Sequence, residues 1–455
     1  MSKQALFQKR LDMTTGEPYK LILRFSVPLL LGNLLQQMYN TVDSMVVGKL
    51  VGSTALAAVG VSGSVMHLIL SFFLGLAAGT SVVVSQAFGA KDLIRQERIA
   101  HSLLLATVLV SLLSMTIGIS LTEPILHLMD TPNDVISDAK VYMMIMFSGV
   151  VCTMLYNIIT GLLQGMGDST SPFLILLVCS SLNVALDLFC VAVLKMGVAG
   201  VAWATILSQL VSVIVGLHRI HHGHIHLRRS ALRIDWHEIV PIMKIGIPTG
   251  VQNMLSSVGN ILVQGVMNGF GYVVMAANVA VIKIDSFCTM PMTTFSTAVT
   301  VYVGQNTGAG RDGRIAKGIR SALKLSIGIS LIISAFLFFF GEWPLRLFTD
   351  EDAVIQVGMD KFHIVCAFYW CMAVFGILSG AMRGKGYSVI PMLIGISTMF
   401  IGRIPVAYLL SRRIGANGIF WSLSVQWALE AVVAVLCYFA LGAHKKPILD
   451  KASTI

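Results

Sequence analysis

The sequence predicts an all-α polytopic membrane protein, with 12 transmembrane helices in two six-helix lobes related by an internal repeat. Of its 455 residues, 56% are hydrophobic and only 12% are charged, whereas charged residues approach about 25% of a soluble globular chain. The chain also divides into apolar stretches long enough to span a bilayer, and its two halves resemble each other. Together these observations exclude a soluble globular protein.

Twelve apolar segments follow one another along the chain, and most have the roughly 20 residues that a spanning helix needs. Segments two and eight are longer, so we expect tilted or interfacial extensions there. The segments cover residues 21–47, 55–87, 101–121, 141–163, 171–194, 198–217, 239–267, 273–306, 321–341, 358–380, 388–410 and 416–442.

Basic residues concentrate in alternate loops. If the N-terminus is inside, 22 of the 32 Lys and Arg residues fall in cytoplasmic stretches and seven fall outside. Because cytoplasmic loops carry the excess of Lys and Arg, we expect both termini in the cytoplasm. This topology accounts for the net charge of +10, so no nucleic-acid partner is predicted. The polar N-terminus lacks the features of a signal peptide.

The longest predicted cytoplasmic link, 218–238, divides the chain almost in half. We therefore expect a first lobe over residues 1–235 that includes this linker and a second lobe over residues 236–455. Five histidines within residues 218–226 could bind a metal ion. A solvated basic loop is favoured, because no carboxylate or cysteine completes a site there.

The halves repeat each other at an offset of about 220 residues, which is the period of a whole six-span unit. Matching pairs on the first and seventh spans are Pro28 with Pro248, Asn33 with Asn253, and Asn40 with Asn260. Six is an even number of spans, so both copies have the same orientation. A parallel repeat of this kind predicts two lobes about an axis along the membrane normal, with a central cavity.

A buried acid marks the fifth segment. Asp187 is the only charge within residues 171–194, and Asn183 lies four residues earlier on the same helix face. A carboxylate in hydrocarbon is costly and usually serves transport. The alternative is a helix-packing hydrogen bond, or a position near the outer interface close to Lys195.

The repeat breaks at two acids. Val263 occupies the second-half position of Asp43, and Val406 occupies that of Asp187. Asp43 also ends a polar stripe on the first span, at helical spacing. The other members of that stripe are Gln36, Tyr39 and Asn40. Two acids in one lobe alone predict that this lobe binds a proton or a cation.

Two carboxylates in a low-dielectric cavity cannot both ionise cheaply, and a proton or Na⁺ relieves their repulsion. Asn183 and Thr205 would add neutral oxygen ligands of the kind that hard cations favour. No other metal ion and no cofactor are predicted. Pro28, fifteen residues before Asp43, would leave a carbonyl unpaired and act as a hinge.

Other charges in the spans are ambiguous. Asp285, on the eighth span, either contacts substrate or forms a structural pair, and it does not face Lys283 on the same helix. Arg403 and Glu430 are expected to form an interhelical ion pair, the favoured arrangement for opposite charges in a bilayer.

The pattern of Asp43, NVALD (183–187) and VAWAT (201–205), with GQNTGAGR (304–311), resembles the multidrug and toxic compound extrusion (MATE) transporters, specifically the DinF-like branch. The resemblance implies an antiporter of the prokaryotic inner membrane that exports amphipathic, cationic organic compounds in exchange for H⁺ or Na⁺. It implies a first-lobe ion site at the matching aspartates, asparagine and threonine, a first helix that bends, and a cavity lined by Gln36 and Tyr39.

Other classes fit less well. A flippase for a lipid-linked or polysaccharide precursor shares the two-lobe plan, but it would line its cavity with several basic residues. An enzyme would need paired motifs such as HExxH, which the sequence lacks. A channel would need a ring of equivalent selectivity residues. The expected partners are therefore small organic substrates and membrane lipids, and a monomer would suffice because one chain contains both lobes.

Overall fold

The computed structural model describes residues 10–223, 225 and 233–443. Over these residues the chain forms helices joined by short turns, and no β-strand occurs among them. The all-α fold class predicted from the sequence is confirmed.

The helices of the first half are joined by tight loops, and two of them run into π-helical turns. These turns are Val47–Val51, after α1, and Phe189–Val193, after α6. The helices are α1 (Pro18–Val46), α2 (Ser53–Gly89), α3 (Leu93–Leu128), α4 (Asn133–Ser148), α5 (Val150–Gly165), α6 (Thr170–Leu188) and α7 (Gly197–Gly223).

The second half has the same plan with more interruptions. A π-helical turn at Thr398–Arg403 and a 3₁₀ turn at Cys366–Phe368 connect successive helices. The helices are α8 (Trp236–Asn268), α9 (Tyr272–Cys288), α10 (Met290–Gly308), α11 (Asp312–Phe340), α12 (Glu342–Arg346), α13 (Asp352–Val365), α14 (Tyr369–Gly384), α15 (Val389–Ser397), α16 (Ile404–Ile414) and α17 (Ala416–Ala443).

The helices are long and apolar. Within the described ranges, ten helical stretches could cross a membrane, and the pair α4 and α5, bent by 50°, makes eleven. The 33-residue helix α8 is more polar but coincides with the seventh predicted segment. All twelve predicted segments therefore coincide with helices.

The chain divides into two compact units. One contains residues up to Asp12 and Val27–Ile247, and the other contains Met13–Ser26 and the residues from Pro248 onward. The sequence-based division differs, because it ended the first lobe at residue 235 and included residues 13–26 in it. The boundaries between the units at residues 26/27 in α1 and 247/248 in α8 each lie beside a proline of the repeat. These prolines are Pro28 and Pro248.

Close helix packing repeats in both units. In the first unit, a Cβ on Gly165 of α5 would lie 2.7 Å from the backbone oxygen of Ser81 in α2. In the second, a Cβ on Gly384 of α14 would lie 2.7 Å from the backbone oxygen of Thr300 in α10. Small residues let membrane helices approach this closely. The sequence repeat is thus also a repeat of packing.

Candidate functional site

Asp187 lies buried on α6, where the first unit surrounds it with polar partners. Its exposed fraction is 0% and that of Asn183 is 1%. In the orientation that satisfies both amide atoms, Asn183 Nδ2 donates to Asp187 Oδ2 at 2.8 Å, and Asn183 Oδ1 accepts from the Thr205 backbone N–H at 3.2 Å. The opposite orientation gives only a 3.5 Å contact from Asn183 to Thr205 Oγ1.

Asp43, near the C-terminal end of α1, completes a carboxylate pair. Its carboxyl group lies within hydrogen-bonding reach of that of Asp187. One oxygen of each acid, Oδ1, is buried and has no hydrogen-bond donor among the described residues. A buried acceptor without a donor is costly, and a proton or a cation bound between the two acids would offset that cost.

Tyrosines flank the pair. The Tyr39 hydroxyl, one helical turn before Asp43, interacts with the Thr205 side chain. Thr205 Oγ1 in turn donates to the Val201 backbone oxygen at 3.1 Å. Tyr142 of α4 is buried and close enough to both carboxylates to interact electrostatically. The sequence analysis missed Tyr142, because nothing in its segment indicates that α4 packs beside α1 and α6.

An apolar wall encloses the carboxylates. The two π-helical turns, Val47–Val51 and Phe189–Val193, contact each other and follow Asp43 and Asp187 within a few residues. Residues from both turns join a buried cluster with α2, α4 and α7. Its core members are Val47, Ala55, Tyr142, Val191, Val198, Val201 and Ala202. This surrounding lowers the local dielectric and strengthens every charge interaction at the pair.

The remaining residues predicted for the cavity are dispersed. Gln36 and Asn40 are exposed on α1, and Pro28 lies inside that helix. Asp285 belongs to the second unit, where it accepts a hydrogen bond from the Tyr369 hydroxyl. Within the first unit, the structure thus brings Tyr39, Asp43, Asn183, Asp187 and Thr205 together.

Two expectations about basic residues need correction. Arg403 and Glu430 do not form a direct ion pair within the described chain. Instead, Gln426 bridges them. Arg403 Nη1 donates to Gln426 Oε1 at 3.4 Å, and Gln426 Nε2 donates to Glu430 Oε1 at 2.9 Å. Lys361, at the edge of the tenth segment and one of the seven Lys and Arg residues counted outside, is buried on α13 and donates to Asn278 at 2.8 Å.

The histidine-rich linker is only partly described. His218 and His222 contact through rings whose centroids are 4.4 Å apart. His224 and His226 lie outside the described residues. Among those described, no three His, Cys, Asp or Glu side chains are arranged to hold a metal ion.

Comparison with known proteins gives the same two-fold pattern. A family model described as MatE matches residues 28–189 and again residues 248–409. "Probable multidrug resistance protein YpnP" of Bacillus subtilis (strain 168) is 31% identical over 438 residues, covering 96% of this chain and 98% of the relative. "Probable multidrug resistance protein NorM" of Thermotoga maritima is 24% identical, covering 95% of this chain and 94% of the relative.

Solved structures share the fold. The structure titled "Crystal structure of MATE in the bent conformation" superimposes with a TM-score of 0.90 at 21% identity, covering 98% of this chain and 100% of the other. At that identity the likeness shows the fold alone.

Proposed function

Because the chain belongs to the MatE family, and is therefore an integral membrane transporter rather than an enzyme, we propose that it is a proton-coupled antiporter exporting amphipathic, cationic organic compounds. Its relatives from Bacillus subtilis and Thermotoga maritima carry names of multidrug resistance proteins. Small organic molecules are accordingly its cargo. The cationic character of that cargo and the coupling ion are the finer parts of the proposal.

The observation that carries this proposal is the buried pair of Asp43 and Asp187. Each acid has an oxygen without a donor among the described residues, and the two carboxyl groups reach each other. Protonation supplies the missing donor, and loss of the proton restores charge repulsion. The pair therefore changes its energy strongly when one proton enters or leaves, as a coupling site must.

The choice of H⁺ over Na⁺ follows from the amide of Asn183. Its Nδ2 donor points to Asp187, and its oxygen is engaged by the Thr205 N–H. Hard cations take oxygen ligands only, and in this orientation the amide turns its nitrogen rather than its oxygen toward Asp187. The amide orientation therefore fits a site that exchanges protons.

Transport into proteoliposomes tests the coupling ion. The purified protein, in liposomes with an acidic lumen, should accumulate a cationic fluorescent rhodamine ester, because protons leaving the lumen exchange for the dye. Liposomes loaded with Na⁺ at equal pH should not accumulate it. Asp187→Asn should reduce uptake to that of protein-free liposomes.

The matched control is Asp130→Asn. Asp130 is exposed and has a positive φ of 49°, a conformation that Asn tolerates, so this variant should transport at the wild-type rate. If a Na⁺ gradient alone drove uptake, the coupling ion would be Na⁺ and the proposed proton coupling would be wrong. Wild-type uptake by Asp187→Asn would remove the carboxylate pair from the mechanism.

We further propose that the chain lies in the inner membrane of a prokaryotic cell, that both of its termini are in the cytoplasm, and that the monomer is the transporting unit. The excess of Lys and Arg in alternate loops supports this orientation of the termini. A C-terminal green fluorescent protein fusion should fluoresce, and a C-terminal alkaline phosphatase fusion should be inactive. Phosphatase inserted after Asp130 should be active, and the reverse pattern would contradict this topology.

A further inference from the structure

A second polar cavity lies wholly within the second unit. Its volume is about 550 Å³, within the roughly 300–1,000 Å³ typical of small-molecule sites. It combines four charged side chains with apolar walls that include Trp427 and Phe375. The charged residues are Asp285, Lys361, Arg403 and Glu430.

Among the described residues Arg403 forms no direct ion pair, although Glu430 of the same cavity interacts with it electrostatically. Its Nη1 donates to the neutral amide oxygens of Asn260, at 2.8 Å, and Gln426, at 3.4 Å. Its Nε is buried and has no acceptor among the described residues. A guanidinium binds carboxylates through two parallel N–H donors, so a half-buried Arg403 with a buried Nε–H that has no acceptor favours an anionic group on the ligand.

The other charges of the cavity are already engaged. Lys361 donates to Asn278 and interacts electrostatically with Asp285, which also accepts from Tyr369. Glu430 accepts from Gln426 at 2.9 Å and from Thr398 at 3.2 Å. Two acids beside two bases disfavour a ligand with a large net charge of either sign. A zwitterion carries one charge for the acids and one for the bases.

The position of the cavity in the repeat supports a separate role. Asn260 and Val263, which line it, are the second-half counterparts of Asn40 and Asp43. The first unit thus has an acid where the second has an apolar residue. Arg403 lies on a π-helical turn, an irregularity frequent at functional sites. The two halves have therefore diverged in charge at equivalent positions.

We propose that this cavity is a substrate subsite in which Arg403 binds the carboxylate of an amphipathic zwitterion and Trp427 and Phe375 contact its aromatic part. This inference rests on the proposed function, because it takes the bound compound to be transported cargo. Binding of that compound at Arg403 does not depend on which ion drives transport. The protein would then accept zwitterionic as well as cationic compounds.

A pair of dyes tests the subsite. One is a rhodamine with a free carboxylate, and the other is the methyl ester of the same rhodamine, which lacks the anion. Binding to full-length protein in nanodiscs is followed by fluorescence polarisation. Arg403→Gln should weaken binding of the free acid by about tenfold or more, the effect of losing a charge-assisted hydrogen bond. Binding of the ester should change by less than twofold.

Arg413→Gln is the matched control, because it makes the same substitution at an exposed arginine on α16, the helix that follows Arg403. It should bind both dyes as wild type does. If Arg403→Gln fails to fold, Arg403→Lys keeps the charge but loses the paired donors, and it should selectively weaken the free acid. Unchanged binding of the acid, or equal loss of both dyes, would overturn the subsite.

The two proposals fail in different ways. Gradient-driven uptake of the ester that is lost in Asp187→Asn, with acid binding insensitive to Arg403, would leave the antiporter intact and remove the subsite. Arg403-dependent binding of the acid, with no gradient-driven uptake of either dye, would retain the subsite and remove the antiporter.

Discussion

The carboxylate pair is the feature whose energetics matter most at the scale of single residues. Two unit charges 4 Å apart repel by about 4 kcal/mol at an effective dielectric constant of 20. Asn183 stabilises an ionised Asp187, whereas the apolar cluster beside the site disfavours two negative charges. One proton shared between Asp43 and Asp187 would remove this repulsion, as the proposed coupling requires.

The contact between Tyr39 and Thr205 should hold α1 against α7. Tyr39→Phe and Thr205→Val each remove one hydroxyl and should each lower the free energy of unfolding by about 1 kcal/mol. Because both remove the same contact, the double variant should be less destabilised than the sum of the single variants by about 0.5 kcal/mol or more. Thermal unfolding in detergent measures the three values.

The control for this cycle is Thr116→Val combined with Tyr39→Phe. Thr116 is exposed on α3, and its hydroxyl donates to its own helix at 2.9 Å. The effects of that pair should add. Additive effects of Tyr39→Phe and Thr205→Val would show instead that the two hydroxyls do not interact.

The sequence best predicts site residues that are charged or polar within an otherwise apolar segment. Asp187 was predicted as a site residue because it is the sole charge of its segment, and Asn183 because helical spacing places it on the same face. Tyr142 and Lys361 were missed for the opposite reason. A tyrosine or a lysine near the end of an apolar segment is common at a membrane interface, and only the packing of separate helices reveals that these two are buried.

At the scale of helices, π-helical turns lie beside both the carboxylate pair and the cavity of the second unit. Val47–Val51 and Phe189–Val193 follow the two acids, and Thr398–Arg403 ends at the arginine of the second cavity. Such a turn carries an extra residue in the helix and redirects the side chains around it. The sequence predicted the segments but not these turns, because hydropathy reports apolarity and is unchanged by one added apolar residue.

Glycines at the tightest helix crossings should be intolerant of any side chain. Gly165→Ala and Gly384→Ala would each place a methyl group 2.7 Å from a backbone oxygen, closer than atoms pack. Overpacking of this kind costs about 1–3 kcal/mol. We expect both variants to unfold at a lower temperature than wild type, by similar amounts, because the two crossings are equivalent in the repeat.

Gly328→Ala separates this effect from helix propensity. A Cβ at Gly328, in the middle of α11, would meet no atom within 4 Å. Replacing a helical glycine by alanine then stabilises by up to about 1 kcal/mol. Thermal unfolding should move upward for Gly328→Ala and downward for the other two. An upward shift for Gly165→Ala would contradict the close crossing.

At the scale of the whole chain, the repeat conserves packing and diverges in charge. Equivalent glycines pack equivalent helices in both units, whereas the positions of Asp43 and Asp187 are occupied by Val263 and Val406 in the second unit. The counterpart of Asn183 in the second half is Gly402, which offers no amide to an acid. The sequence made this asymmetry visible through alignment of the halves. It could not show the cavity of the second unit, which forms from side chains far apart in the chain.

The asymmetry predicts that the coupling site cannot be moved to the other lobe by exchanging the acids alone. Asp43→Val and Asp187→Val, combined with Val263→Asp and Val406→Asp, should give no proton-driven dye uptake. Val263 lines the cavity that holds Arg403, so an acid there would pair with the guanidinium and stay ionised instead of exchanging a proton. The control is Asp43→Val with Asp187→Val alone, and uptake by the fourfold variant above that control would show that the two lobes are functionally interchangeable.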